Sequence, residues 1–212
     1  MLMDFSIDSS SRVVYSFGDC IFAAMLDLLP SAKWIDIATY NISKDDLTLH
    51  QLLANECAGI TVRFITKIPS WFESYYKPVY AANFKKLFDL YHRRLDPKLY
   101  KCKLEPFFNV HNHSKLIITD QAAYIGSANF SPESSQNYEC GVIYRNPDAI
   151  ALIRRNVFGN LLRQSFPRDV SAIGKTKLYF QQFMSGIPKL FEPFEDDCSR
   201  CAMTTSAAPV RA

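Results

Sequence analysis

His113-Ser-Lys115-Leu-Ile-Ile-Thr-Asp120, followed after a short turn by Gly126-Ser127-Ala-Asn129, is the stretch from which both fold and chemistry can be read. Ser114–Thr119 and Ala122–Ile125 are short apolar runs on either side of a tight turn, a pattern that predicts a hairpin. His113 and Lys115 stand two apart at the start of the first strand, so their side chains are expected on one face. Ser127 and Asn129 arrive from the loop after the return strand. The hairpin thus gathers an imidazole, a fixed positive charge and short polar donors. Phosphoryl transfer asks for that set, a nucleophile for phosphorus and groups that hold negative oxygens in the transition state.

Outward from the hairpin, strand and helix signals alternate. Arg12–Phe17, Trp34–Tyr40 and Ile60–Thr66 read as strands. Between them lie a helix over Cys20–Leu29, capped by Asp19, and a second opened by the capping box Ser43-Lys-Asp-Asp46 and stopped before Gly59. This order predicts parallel pairing with right-handed crossovers. Pro78 starts a long helix in which Ala81, Phe84, Leu87, Phe88 and Tyr91 follow a 3.6-residue period, ending at Asp96-Pro97. Glu139–Tyr144 is a further strand, and Pro147-Asp148 opens a last helix that reaches about Gln164. The expected fold class is α/β, a mixed sheet flanked by helices in one domain over residues 1–169. Residues 170–212 form an extension whose end, from Glu195, is expected to be disordered.

Composition narrows the classes. A hydrophobic content of 48% with 21% charged residues describes a globular chain and excludes an intrinsically disordered one. No run approaches the roughly 18 apolar residues of a membrane span, and no secretory signal opens the sequence, so a cytoplasmic location is expected. Cys20, Cys57, Cys102 and Cys140 are expected to be reduced, and Cys198-Ser-Arg-Cys201 lacks the second ligand pair of a zinc site. The net charge of +3 is unevenly spread: residues 1–60 carry 3 basic against 8 acidic groups, residues 61–103 carry 10 against 3. Within that basic segment Lys85, Lys86, Arg93 and Arg94 are candidate contacts for a polyanion, the alternative being a solvated helix face.

The spaced set His113, Lys115, Asp120, Gly126, Ser127 and Asn129 resembles the H-x-K-x4-D signature, with its trailing G-S-x-N, of the phospholipase D superfamily. Ile35-Asp-Ile-Ala-Thr-Tyr40 and Gly59-Ile-Thr-Val-Arg63 are similar to strands that precede this motif, so the resemblance spans roughly residues 12–165. Five residues separate Asp120 from Gly126 where many members have six, and this chain has one motif where the family's active site uses two.

The resemblance therefore implies a homodimer with its active site at a two-fold interface. His113 of one subunit would attack phosphorus to give a phosphohistidine, and His113 of the other would protonate the leaving oxygen and then activate water. Lys115 and Asn129 would clamp the phosphoryl oxygens in place of a divalent metal, so no metal or cofactor is implied. Glu139 matches a carboxylate that orients the motif histidine, while Asp120, though part of the motif, also suits a turn cap or salt bridge. Ser127 and His111 are expected beside the substrate, with His111 at the pocket mouth.

A nuclease cleaving DNA or RNA is the expected activity. The chain is short like the family's small dimeric nucleases, its basic segment precedes the motif, and Trp71, Phe72, Tyr75 and Tyr76 offer surfaces for base stacking. The alternatives are a phospholipase D-type enzyme acting on cardiolipin-like headgroups at a membrane surface, and a non-catalytic phosphodiester-binding protein.

Overall fold

A computed structural model describes residues 2–18, 20–40, 42, 47–67, 81–130, 134, 136–171, 174–178 and 180–181. The Asp19 cap, the capping box at 43–46, the helix start at Pro78, the aromatic run at 71–76 and the tail with Cys198 and Cys201 lie outside these residues.

Among the described residues nine strands form one mixed sheet: β1 (Leu2–Ser6), β2 (Ser11–Ser16), β3 (Trp34–Thr39), β4 (Thr61–Thr66), β5 (Lys103–Phe108), β6 (Leu116–Thr119), β7 (Ala123–Gly126), β8 (Glu139–Tyr144) and β9 (Phe166–Pro167). Their spatial order is β1-β2-β8-β7-β6-β3-β4-β5-β9. The helices are α1 (Ala23–Leu26), α2 (Leu47–Asn55), α3 (Ala81–Arg94), α4 (Pro147–Ile153) and α5 (Gly159–Arg163). A π-helical turn over Arg154–Phe158 joins α4 to α5 without a break, giving the single long helix expected there.

Among the strands of the described residues, parallel pairing joins β3 to β4 and β4 to β5. The expected parallel partnership of the first long strand with Trp34–Thr39 does not form: β2 pairs antiparallel with β8 and with β1. An antiparallel run, β6-β7-β8, stands between β3 and β2, because strands consecutive in the chain tend to pair with one another before the distant N-terminal strand can add to their edge. Neither β1 nor β5 is marked in the sequence reading; Lys103–Phe108 carries a proline and alternates charge with apolar residues, and its place is set by β4 alongside. The first helix is shorter than the expected Cys20–Leu29, with one α turn and then a 3-10 turn over Leu29–Ser31 as Pro30 removes a donor.

The sheet is buried on both faces. Along β3, Ile35 and Ile37 enter a core with Met25, Leu29, Leu53, Phe88, Tyr91 and Phe108, all on the side of α1–α3. Ala38 turns to the other face with Ile65, Leu116, Ile118, Ala123, Ile150 and Phe158, under α4 and α5. Leu178, in a helical stretch over residues 174–178, is fully buried in the first core.

Candidate active site at one rim of the sheet

Strand direction assembles the site. β3, β4, β5, β7 and β2 run one way and β6 and β8 the other, as their pairings require. One rim therefore collects the ends of β2, β3, β4, β5 and β7 and the beginnings of β6 and β8. The residues there are Phe17, Tyr40, Lys67, His111, His113, Lys115, Ser127, Asn129 and Glu139. Ligands of open α/β sheets bind at this position, beyond the carboxyl ends of the parallel strands.

His113 and Lys115 precede β6, which starts at Leu116, so they leave an irregular approach segment and not the regular strand expected. That segment is held from beneath. Asn112, 1% exposed, donates through Nδ2 to the Thr39 carbonyl at 2.7 Å and accepts the Ser114 amide at 2.9 Å. Lys115 curls back: its Nζ lies 2.8 Å from the His113 carbonyl and 3.1 Å from His113 Nδ1. The lysine is buried and the imidazole exposed, so the pair presents a ring to solvent over a covered charge. Tyr40 meets His113 edge-on at 4.7 Å between centroids, and its ring also faces Lys67 Nζ at 5.0 Å and Lys115 Nζ at 5.5 Å.

These neighbours set the charge state. Partial burial, then the ammonium groups of Lys115 and Lys67, holds the His113 imidazole below its usual 6.5. Burial lowers Lys115 from its ordinary value, and Glu139 opposes the shift. A neutral ring beside a retained ammonium is the state in which an imidazole is a competent nucleophile.

The return strand brings the polar donors. The Gly126 amide donates to the Lys115 carbonyl at 3.2 Å, drawing the end of β7 to the histidine segment. Ser127 Oγ donates to Glu139 Oε2 and accepts the Cys140 amide at 3.1 Å. Glu139, 7% exposed, thus takes Ser127 as its hydrogen-bond partner; within one chain, among the described residues, none joins it to His113. The Asn129 amide N–H is fixed by Ser134 Oγ at 2.9 Å, and an Ile42–Phe130 bridge ties its loop to the exit of β3. Asn129 Oδ1 is buried without a partner among the described residues, a polar group left for a ligand.

The remaining expected residues lie elsewhere or at the margin. His111 is exposed at the same rim, its amide donating to Asn109 Oδ1 at 2.9 Å. Asp120 stands at the opposite end of β6, where Oδ1 accepts the Lys33 amide at 2.8 Å, a tie to the start of β3 and not a cap on its own turn. Arg93 and Arg94 sit in the last turn of α3, which carries the chain away from this rim to the start of β5. Lys85 and Lys86 lie in the same helix, their side chains outside the described atoms. Asn112, Tyr40 and Lys67 are the residues the sequence reading missed. Asn112, flanked by His111 and His113, was visible as a short polar side chain beside an irregular segment.

The family described as "Cardiolipin synthase, PLD-like domain" matches residues 25–161, most of the described fold and all of the rim motif. The chain belongs to this phospholipase D-like family. Superfamily members act on phosphodiester bonds, so its chemistry is of the phosphodiesterase type. Among solved structures, Nuc from Salmonella typhimurium, a phospholipase D family member, aligns with a TM-score of 0.52 at 18% identity, covering 74% of this chain and 97% of that one. NucT from Helicobacter pylori aligns at 0.46 and 19% identity, covering 68% and 88%. The phosphatidylserine synthase of Haemophilus influenzae Rd KW20 aligns at 0.48 and 15%, covering 85% of this chain and 48% of that one. Nuc shows the shared phospholipase D-like fold. No curated protein matches the sequence. Among the described residues of this phospholipase D-like chain, no helix is long and apolar enough to cross a membrane.

Proposed function

We propose that the chain is a nuclease that works as a homodimer, cleaving DNA or RNA through a phosphohistidine on His113. The observation that carries this reading is an exposed imidazole, backed by the buried Lys115 ammonium, alone of its kind in the motif. A displacement at phosphorus needs both a nucleophile and an acid for the leaving oxygen. One motif histidine serves one of these roles at a time, and a second copy of the chain supplies the other. In the first step His113 Nε2 bonds to phosphorus while the partner's His113 gives its proton to the departing oxygen. In the second, that ring takes a proton from water, which displaces the first histidine. The Lys115 ammonium and the side-chain N–H donors of Asn129 hold the non-bridging oxygens, and Glu139 balances Lys115 while fixing Ser127.

Nucleic acid is favoured over lipid by the aromatic groups on the same rim. Tyr138, next to Glu139 and 67% exposed, stacks on Phe17 at 4.5 Å and on Tyr15 at 5.9 Å between centroids. An exposed stack beside a cationic site suits unpaired bases.

The experiment incubates chelator-treated protein with labelled single- and double-stranded DNA, RNA and cardiolipin vesicles. Cutting of a polynucleotide under chelation is expected; turnover of cardiolipin alone overturns the nuclease reading. In a re-equilibrated equal mixture of wild-type and His113→Ala subunits, a shared site leaves about one quarter of the activity, against about one half for self-sufficient subunits.

A further inference from the structure

The opposite rim of the sheet carries a second concentration of positive charge. A cleft of about 610 Å³ opens between the start of β3, the middle of β4 and the α4–α5 helix. Arg63, Arg154, Arg155 and Arg163 line it together with Trp34 and Asp120. Its floor is built on Asp36, 1% exposed, whose Oδ1 accepts Arg63 Nε at 2.6 Å and whose Oδ2 accepts Arg63 Nη2 at 2.5 Å and Arg154 Nε at 2.8 Å. Arg154 also lies flat over the Trp34 ring, 3.5 Å from its centroid. Asp36 and Asp120 offset two of the four guanidinium charges and leave two.

The outer pair is arranged around a gap. Arg155, Gly159 and Arg163 are spaced four apart along one helix, so they share a face. Gly159 adds no side chain between them, and a Cβ there would lie 3.7 Å from Arg163 Nη1. Arg155 donates through Nε to Asn156 at 3.3 Å and Arg163 through Nη2 to Asn160; among the described residues neither meets a carboxylate. A guanidinium carries five N–H donors, so most of those on both side chains are left over. Two planar cations flanking a bare helix position form a cradle for a tetrahedral anion. The cleft holds more than a bare phosphate, and Pro147, Ile150 and Ala151 give it an apolar wall.

We propose that this cleft is a second, non-catalytic site, which binds a nucleotide-sized phosphate ester with its phosphate between Arg155 and Arg163. Four residues of extended chain separate Asp36 in its floor from Tyr40, about 13 Å along the sheet, so it is distinct from the His113 rim. The same chemistry is offered by a free nucleotide and by the phosphorylated end of a strand. The site does not depend on His113 chemistry.

The test is calorimetric titration of the full chain with adenosine monophosphate, pyrophosphate, and a short oligonucleotide with and without a 5′-phosphate. Arg155→Ser/Arg163→Ser, which alters two exposed side chains that meet no carboxylate among the described residues, is expected to weaken phosphate-ester binding by about tenfold or more. That variant keeps its cleavage of a small chromogenic phosphodiester, and its circular dichroism is unchanged. His113→Ala loses cleavage and keeps the binding. Tighter binding of the 5′-phosphorylated oligonucleotide assigns the site to strand ends, and binding of the free nucleotide alone assigns it to nucleotides. Equal affinity in the arginine variant, affinity lost in His113→Ala, or heat from none of the probes overturns the proposal.

Discussion

Asn112→Ala removes the side chain that seats the histidine segment. Two hydrogen bonds disappear, one to the Thr39 carbonyl at 2.7 Å and one from the Ser114 amide at 2.9 Å. Thr39 is fully buried, so its carbonyl loses a donor where water does not reach, while Ser114 is half-buried and is partly compensated. At ~1–3 kcal/mol for each buried group stripped of its partner, the loss comes to ~2–4 kcal/mol. For a chain of this size each kcal/mol is worth ~2–4 °C, so the melting temperature is expected to fall by roughly 5–15 °C. The freed segment also lets His113 and Lys115 drift, and a displacement of ~1 Å is enough to cost ~10²-fold in rate. Urea unfolding gives the stability change, and kcat/KM on a small chromogenic phosphodiester, measured well below the melting temperature, gives the rate. A variant that unfolds within about 0.5 kcal/mol of the parent and turns over at the parental rate refutes the reasoning, because such a change is ordinary for surface positions.

Lys67→Met tests the electrostatics of the imidazole. Lys67 helps to hold His113 below 6.5, so on the proposed mechanism the attacking imidazole stays neutral into mildly acidic solution and the acid limb of kcat/KM is expected below that value. Without this charge the His113 pKa rises and the acid limb moves to higher pH; an unmoved limb shows that Lys67 does not act on His113. Gly126→Ala tests the packing under the rim, since a Cβ there would overlap the Tyr124 ring and hydroxyl and sit 2.7 Å from the Cys140 carbonyl. A loss of ~2 kcal/mol or more in urea unfolding is expected, and a neutral substitution contradicts the close packing.

Local chemistry made the hairpin and its motif legible. The runs Ser114–Thr119 and Ala122–Ile125 around a tight turn predict two adjacent strands, and β6 and β7 pair as expected with Leu116 opposite Ile125. The long helices over Ala81–Arg94 and Pro147–Arg163 were readable for the same reason, a 3.6-residue period or a Pro start with Asn146 accepting the Asp148 and Ala149 amides. The partnership of β2 was not, because β2 binds β8, more than 120 residues away, and a strand carries no local mark of its neighbour. Lys103–Phe108 escaped notice since its proline and charges argue against a strand until β4 supplies the edge.

By itself the amino-acid order determined the chemical set, His113, Lys115, Ser127 and Asn129, because motif spacing is a property of the chain in one dimension. Tertiary structure decided which other residues join it. Tyr40 and Lys67 come from the ends of β3 and β4 and reach His113 only because parallel strands deliver their carboxyl ends to one rim. Asp120 is five residues from Lys115 yet faces the opposite rim, because four residues of extended β6 lie between them. An extended strand separates neighbours in sequence by about 3.3 Å per residue, whereas a sheet sets distant ones about 4.8 Å apart.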